Sequence, residues 1–300
     1  MYSGKVYDKL KRELQGPQGL IQEVRKSYIP TGENLAKFAW ERASFHEAEL
    51  TARRVKNNFN AYLCELIDLE YKIYLEYEEL CLNKGVVEQA LKPQIKDKFP
   101  ATHSMVKQTV NILHEPSDDD ITKLTKIISN IRSFTKLIEQ SFSQGRMARA
   151  GGSSQFHLKK LFSIAGYNNE FETQQILNGT VDFLFPNKYL WERDKRRCVV
   201  VSIKRTLRER YKQVFEELGL TGGITIYLLV TETFEESIKD ITISKVDRLN
   251  KQNIYLVVRD EIKNTRFQDA DNVISFTAFI KDELPSKREL WSPLLRKYSK

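Results

Sequence analysis

The sequence is poor in cysteine, histidine and long apolar runs. Its three cysteines, Cys64, Cys81 and Cys198, lie far apart in 300 residues. They are too few for a disulfide framework and lack the paired spacing of a zinc site, which predicts a reducing, cytoplasmic setting. The four histidines, His46, His103, His114 and His157, show no metal-ligand spacing either. Apolar runs such as residues 226–230 fall far short of the roughly 18 residues that span a bilayer. Residues 1–5 hold no apolar leader, so export is not expected. These lacks argue against a membrane protein, a secreted mini-protein and a zinc enzyme.

Basic charge is what the chain has in excess. Lysine and arginine number 48 against 40 aspartates and glutamates, a net charge of +8. The excess is concentrated locally. Residues 193–212 hold Arg193, Lys195, Arg196, Arg197, Lys204, Arg205, Arg208, Arg210 and Lys212 against only Asp194 and Glu209, nine cations to two carboxylates. Such density attracts polyanions, nucleic acid foremost. A solvated basic loop is the plainer alternative.

The pattern changes near residue 150. Upstream, residues 34–83 contain few breakers and space their apolar residues three or four apart, as helices do. Pro116-Ser117-Asp118-Asp119-Asp120 offers caps and acids for a helix from Ile121 to about Phe142. Residues 145–152 read as a basic, glycine-rich loop, with Ser153 or Ser154 capping a short helix through Phe162. Downstream, strands are predicted at 181–185, 198–203, 224–231, 254–258 and 273–276, with helices between them. This order predicts an α/β fold. A mixed five-stranded sheet flanked by helices occupies residues 144–300, after an N-terminal helical subdomain in 1–143.

One pair of residues stands out against this pattern. Asp182 interrupts an apolar strand, and Lys204 ends another just after Ser202-Ile203. A charge beside buried strand residues is costly unless it is paired or bound to a metal. If the two strands pair, acid and lysine face one cleft. There a carboxylate can hold Mg²⁺ and a lysine can neutralise a phosphate. Glu217 is the candidate second carboxylate, with Glu170 and Glu172 as weaker ones. The ordinary alternative is that Asp182 caps a hairpin or pairs with a lysine. Arg208-Glu209-Arg210 follows closely. Arginine can donate two hydrogen bonds to guanine, and glutamate can accept one from cytosine; a charged helix face is the alternative.

The ordered set Val181-Asp182-Phe183, Ser202-Ile203-Lys204, Arg208-Glu209-Arg210 and Glu217, with Arg146-Met147-Ala148-Arg149-Ala150-Gly151 upstream, resembles a family of type II restriction endonucleases. These recognise CCGG, CCNGG or CCWGG, and the EcoRII catalytic domain and PspGI-like members are the nearest in pattern. The likeness covers about residues 145–220. It implies the restriction-endonuclease-like fold in a variant of the PD-(D/E)-x-K nucleases. In that variant a serine, here Ser202, stands two residues before the catalytic lysine, and a downstream helix supplies the second acid.

The resemblance further implies that Asp182 and Glu217 hold Mg²⁺ and that Lys204 lies by the scissile phosphate. Arg208 and Arg210 would contact guanines, Glu209 would bridge cytosines, and Arg146 and Arg149 would join the DNA-binding set. Gln155 departs from the pattern, standing where related sequences often carry a glutamate. The implied activity is Mg²⁺-dependent cutting of double-stranded DNA at a palindrome with a CC/GG core, leaving 5′-phosphates. The implied partners are a second copy of the chain, or three more in a tetramer, and a cognate DNA methyltransferase acting on the same site. The N-terminal helices would touch the minor groove and the dimer partner. Two rivals remain at this point: a structure-selective repair or junction-resolving nuclease of the same fold, and a non-catalytic DNA-binding protein.

Overall fold

Residues 4–173, 181–207 and 224–298 are described by a computed structural model, with backbone alone at 147–153 and 296–298. The chain forms two compact units. The first gathers Met1–Leu35 with Tyr71–Arg149, and the second Ala36–Glu70 with Ala150–Lys300. Residues 36–70 therefore accompany the downstream half of the chain. The divisions fall inside the helices Gly32–Arg42, Phe59–Leu80 and Asp120–Phe162.

The described part of the first unit is helical. The helices Gly4–Gln15, Leu20–Tyr28 and Pro100–Leu113 bury Leu10, Leu14, Leu20, Ile21, Val24 and Met105. Glu13 supplies a cap from a distance. Its carboxylate accepts from the amides of Ala101 (3.1 Å) and Thr102 (2.8 Å), satisfying orphan N–H groups at the start of the helix Pro100–Leu113.

The helix expected to end near Phe142 instead continues to Phe162 as one element, Asp120–Phe162. Its start is the one the sequence predicts: Asp119 accepts from the Thr122 amide at 2.8 Å, and that bond holds its carboxyl below the usual range. The glycine-rich loop predicted at 145–152 is helical. Each glycine weakens a helix by only about 1 kcal/mol, and the flanking apolar residues Leu137, Ile138, Phe142, Leu158, Leu161 and Phe162 are buried. At Gly145 the Arg25 guanidinium lies where a side chain would begin, a Cβ there standing 1.8 Å from Arg25 Nη2.

The second unit carries the sheet. Among the described residues it has six strands in the order β1 (Glu172–Thr173), β2 (Phe183–Phe185), β3 (Val199–Lys204), β4 (Thr225–Val230), β5 (Ile254–Val258) and β6 (Val273–Ser275). β1, β2 and β3 are antiparallel neighbours, whereas β3 to β6 run parallel. The five predicted strands are present, and β1, only two residues long, adds a sixth. β3 is buried except at Lys204, as a central strand covered on both faces should be. Between the parallel strands lie the helices Phe234–Asp240, Ile243–Asn250 and Asp260–Arg266. The first two are capped by Thr233 and Thr242.

Side chains alternate across a strand, so Phe183 and Phe185 share one face. Phe162 packs on both, with ring centroids 5.3 and 5.5 Å away and near-perpendicular planes. It also meets Phe59, Phe171 and Phe279. Phe162 is thus the hub of an aromatic cluster packed on β2. Phe162→Ala should lower unfolding stability by about 3–5 kcal/mol, measured by chemical denaturation. A loss below 1 kcal/mol would show that the ring cluster is not the hub.

Candidate active site

Phe183 pairs with Val201 across β2 and β3, so continuing the register sets Asp182 opposite Ser202. Opposed residues share a face, and Lys204 lies two positions beyond Ser202. The sheet therefore presents Asp182, Ser202 and Lys204 on one side, at the end where β2 begins and β3 finishes. Asp182 Oδ2 accepts from the Ile203 amide at 2.6 Å and from the Ser202 hydroxyl at 3.4 Å. Its other oxygen, Oδ1, accepts nothing from the described residues.

Burial pushes the Asp182 carboxyl above the usual range. The Ile203 N–H, the Lys204 ammonium and the Ser202 hydroxyl pull in the opposite direction. Among the described residues, burial outweighs these three favourable contacts. Ser202 is fully buried. A glutamate at that position would bring a second desolvated anion against Asp182.

Three further contacts brace this corner. Gln155 Nε2 donates to the Asp182 carbonyl at 3.0 Å. The Lys204 carbonyl accepts from the Thr231 amide at 3.0 Å, and the Ser154 and Thr231 hydroxyls meet at 3.4 Å. Downstream, the Leu207 amide donates to Asp240, which also pairs with Lys245. Sequence reasoning passed over Asp240. The signal was an acid in the last turn of a helix, where the dipole disfavours negative charge unless another donor needs it.

Of the predicted site residues, Asp182, Ser202 and Lys204 come together. Arg208, Glu209, Arg210 and Glu217 lie outside the described residues, as does most of the predicted helix 206–218. Arg149 is described by its backbone only. Arg146 belongs to the first unit, where Glu78 and Glu139 both grip its guanidinium. The weaker candidate acids are engaged elsewhere. Glu170 holds Arg288 and the Trp291 indole N–H, and Glu172 accepts from the Lys188 amide.

The described residues contain no cluster of three His, Cys, Asp or Glu side chains able to hold a metal. The donor chemistry nevertheless suits a hard divalent cation. Mg²⁺ commonly takes one or two carboxylates and completes its shell with water and phosphate. Asp182 offers an anchored, largely buried carboxylate with Lys204 beside it.

The raised carboxyl has a consequence for stability in metal-free buffer. A carboxyl whose folded value lies above its unfolded value stabilises the fold while protonated, and that contribution is lost as pH rises through the shifted range. Asp182→Asn keeps an acceptor for Ile203 and Ser202 and removes the buried charge. In EDTA the variant should melt at or above the wild-type temperature near pH 8, the gap shrinking toward pH 4. A wild type that gains on the variant as pH rises would reverse the assigned sign.

The family described as EcoRII C terminal matches residues 117–280, more than half the chain. Type II restriction enzyme SsoII of Shigella sonnei is 30% identical over 158 residues, which are 50% of this chain and 48% of that enzyme. The match thus spans about half the length of that relative. Among solved structures, metal-depleted Ecl18kI in complex with uncleaved DNA superposes with a TM-score of 0.70 at 22% identity, over 97% of this chain and 86% of that one. A PspGI–substrate DNA complex gives 0.50 at 16% identity, over 89% and 96%. Both likenesses show a shared restriction-endonuclease fold. No helix among the described residues is long and apolar enough to cross a membrane. By its matched family and its fold, the chain belongs to the EcoRII C-terminal family.

Proposed function

We propose that the protein is a Mg²⁺-dependent type II restriction endonuclease. It hydrolyses double-stranded DNA at a palindrome with a CC/GG core, leaves 5′-phosphates, and works in the cytoplasm beside a methyltransferase that protects the same site. The observation that carries this reading is the Asp182 carboxylate, fixed by Ile203 and Ser202 beside Lys204 at a sheet end, in a chain of this family. Asp182 and Glu217 would hold the cation. When bound, it would offset charge on the phosphate and lower the pKa of its water. Lys204 neutralises a non-bridging phosphate oxygen, and Ser202 holds the carboxylate toward the strand end. Arg208 and Arg210 read guanines, Glu209 reads cytosines, and Arg146 and Arg149 approach the phosphate backbone.

The N-terminal helices of residues 1–143 would supply minor-groove and dimer contacts. Two features of the first unit support the second role. Ile121, Leu124 and Ile128 form an exposed apolar stripe at helical spacing. Nearby in sequence, Ile131, Phe134 and Phe142 line an apolar groove of about 650 Å³ whose rim carries Glu78, Glu79 and Glu139. Contiguous apolar surface of this kind commonly marks a protein interface, and a palindrome is read by two-fold symmetry.

A plasmid digest with run-off sequencing of the ends tests the activity. Discrete fragments cut at CC/GG palindromes are expected with Mg²⁺. Cleavage restricted to branched DNA would favour a junction nuclease instead. Asp182→Asn should lose at least about a hundredfold in cleavage rate while still binding the site in calcium, and retained cleavage would remove Asp182 from the chemistry. For the interface, Leu124→Asp with Ile128→Asp should convert dimers to monomers in sedimentation without a change in helical content. An unchanged sedimentation coefficient would place the dimer contact elsewhere.

A further inference from the structure

Among the described residues of the basic run, the cations at 193–197 and those at 204–205 do not form one patch in space. β3 passes through its middle, and β2 and β3 are antiparallel. Asp182 and Lys204 therefore lie at one end of the strand pair. The connection that joins the end of β2 to the start of β3, residues 186–198, lies at the other. β3 alone separates the two ends by about 17 Å at its usual rise per residue. That exceeds the reach of a side chain, so Arg193, Lys195, Arg196 and Arg197 cannot touch a phosphate seated at Lys204.

The connection is a built surface. It consists of the helix Lys188–Arg193, capped by Asn187 at the Leu190 amide (2.9 Å), and a 3₁₀ turn at Lys195–Arg197. Trp191 is buried and anchors it, with the Lys195 ammonium 5.4 Å from its ring centre. Arg193 lies 3.4 Å over the exposed Tyr189 ring. Arg197 is tied to Asp194 at 2.9 Å and to the Leu290 carbonyl at 3.3 Å. Arg196 is exposed and makes no ion pair among the described residues. Five cations, Lys188, Arg193, Lys195, Arg196 and Arg197, stand against Glu192 and Asp194.

We infer that residues 188–197 form a second DNA-binding surface, which holds the backbone of a duplex segment other than the one at Asp182. Guanidinium groups match phosphate oxygens as a fork. The Tyr189 ring lies under Arg193 and holds its guanidinium in place at the surface. A membrane would call for an apolar anchor, and here Trp191 is turned inward. The choice of DNA over another polyanion rests on the function proposed above. The contacts are to phosphate, so the surface is indifferent to sequence.

The test uses the full chain in calcium with an unlabelled CC/GG duplex added only to the stoichiometry of the Asp182 sites, so that the sequence-indifferent surface stays free for the probe. The probe is a fluorescent 20-base-pair duplex lacking that core, followed by anisotropy across a salt series. The combined variant Arg193→Gln, Lys195→Gln, Arg196→Gln should weaken probe binding about tenfold or more at low salt. It should also lower the slope of log K against log salt by about 2 to 3, while affinity for the CC/GG duplex stays within twofold. Glu192→Gln, which removes a carboxylate, should tighten probe binding. No probe binding to the wild type, equal weakening of both duplexes, or weaker binding by Glu192→Gln would each overturn the inference. If the chain shows no preference for any CC/GG duplex, the proposed function fails. The probe alone then still reports whether residues 188–197 bind DNA.

Discussion

A carboxylate held away from water at the end of two paired strands is the constraint on which the candidate site depends. Asp182 would sit more comfortably protonated or solvated. The Ile203 amide and the Ser202 hydroxyl fix one of its oxygens, and Lys204 supplies charge without neutralising the effect of burial. A carboxylate so fixed has little freedom to move, so its position is set before anything approaches the strand end.

The arrangement exists only if β2 and β3 keep their register. A slip of one residue would turn Asp182 to the opposite face, into the layer of Phe162, Phe171, Phe183 and Phe185. Those rings resist it. Phe183 and Phe185 are fully buried against Phe162, and exchanging them with a carboxylate would bury charge in apolar surroundings. The aromatic face and the chemical face are thus two sides of one specification: packing energy on one side sets the position of a titratable group on the other. Gln155 and the Ser154–Thr231 pair then hold the backbone on either side of the corner.

The strands were legible because β-branched runs such as Val199-Val200-Val201 suit a strand covered on both faces. The acid and lysine were legible because each breaks such a run. Helix starts were legible where a short polar side chain precedes the first turn, as at Asp119 and Thr233. Other features had no local signature. β1 is two residues long and exists through its pairing with Leu184 and Phe183. The glycines at 145–152 carry the composition of a loop, yet buried apolar residues on both sides extend the helix through them, and at Gly145 the missing side chain makes room for Arg25. The grouping of residues 36–70 with the sheet depends on long-range contacts such as Arg259 with Asp68 and His157 with Glu70. Asp240 illustrates the same limit at the site, because its partner, the Leu207 amide, is 33 residues away.

Charge density along a sequence is likewise a poor guide to charge density in space. A helix folds a basic run onto itself every few residues, whereas a strand carries its two ends apart at more than 3 Å per residue. Because β3 lies inside the run, Arg193, Lys195, Arg196 and Arg197 before it and Lys204 and Arg205 at its end have different surroundings. Lys204 ends β3 at the Asp182 corner, with Arg205 next to it in sequence. Arg193, Lys195 and Arg196 stand beyond the far end of the same strand. Screening at physiological salt extinguishes exposed charge interactions over about 8 Å, less than half the length of β3. The two groups cannot reinforce one another at a single phosphate. The apolar residues between them, which form the centre of the sheet, divide one basic segment into two separate electrostatic surfaces.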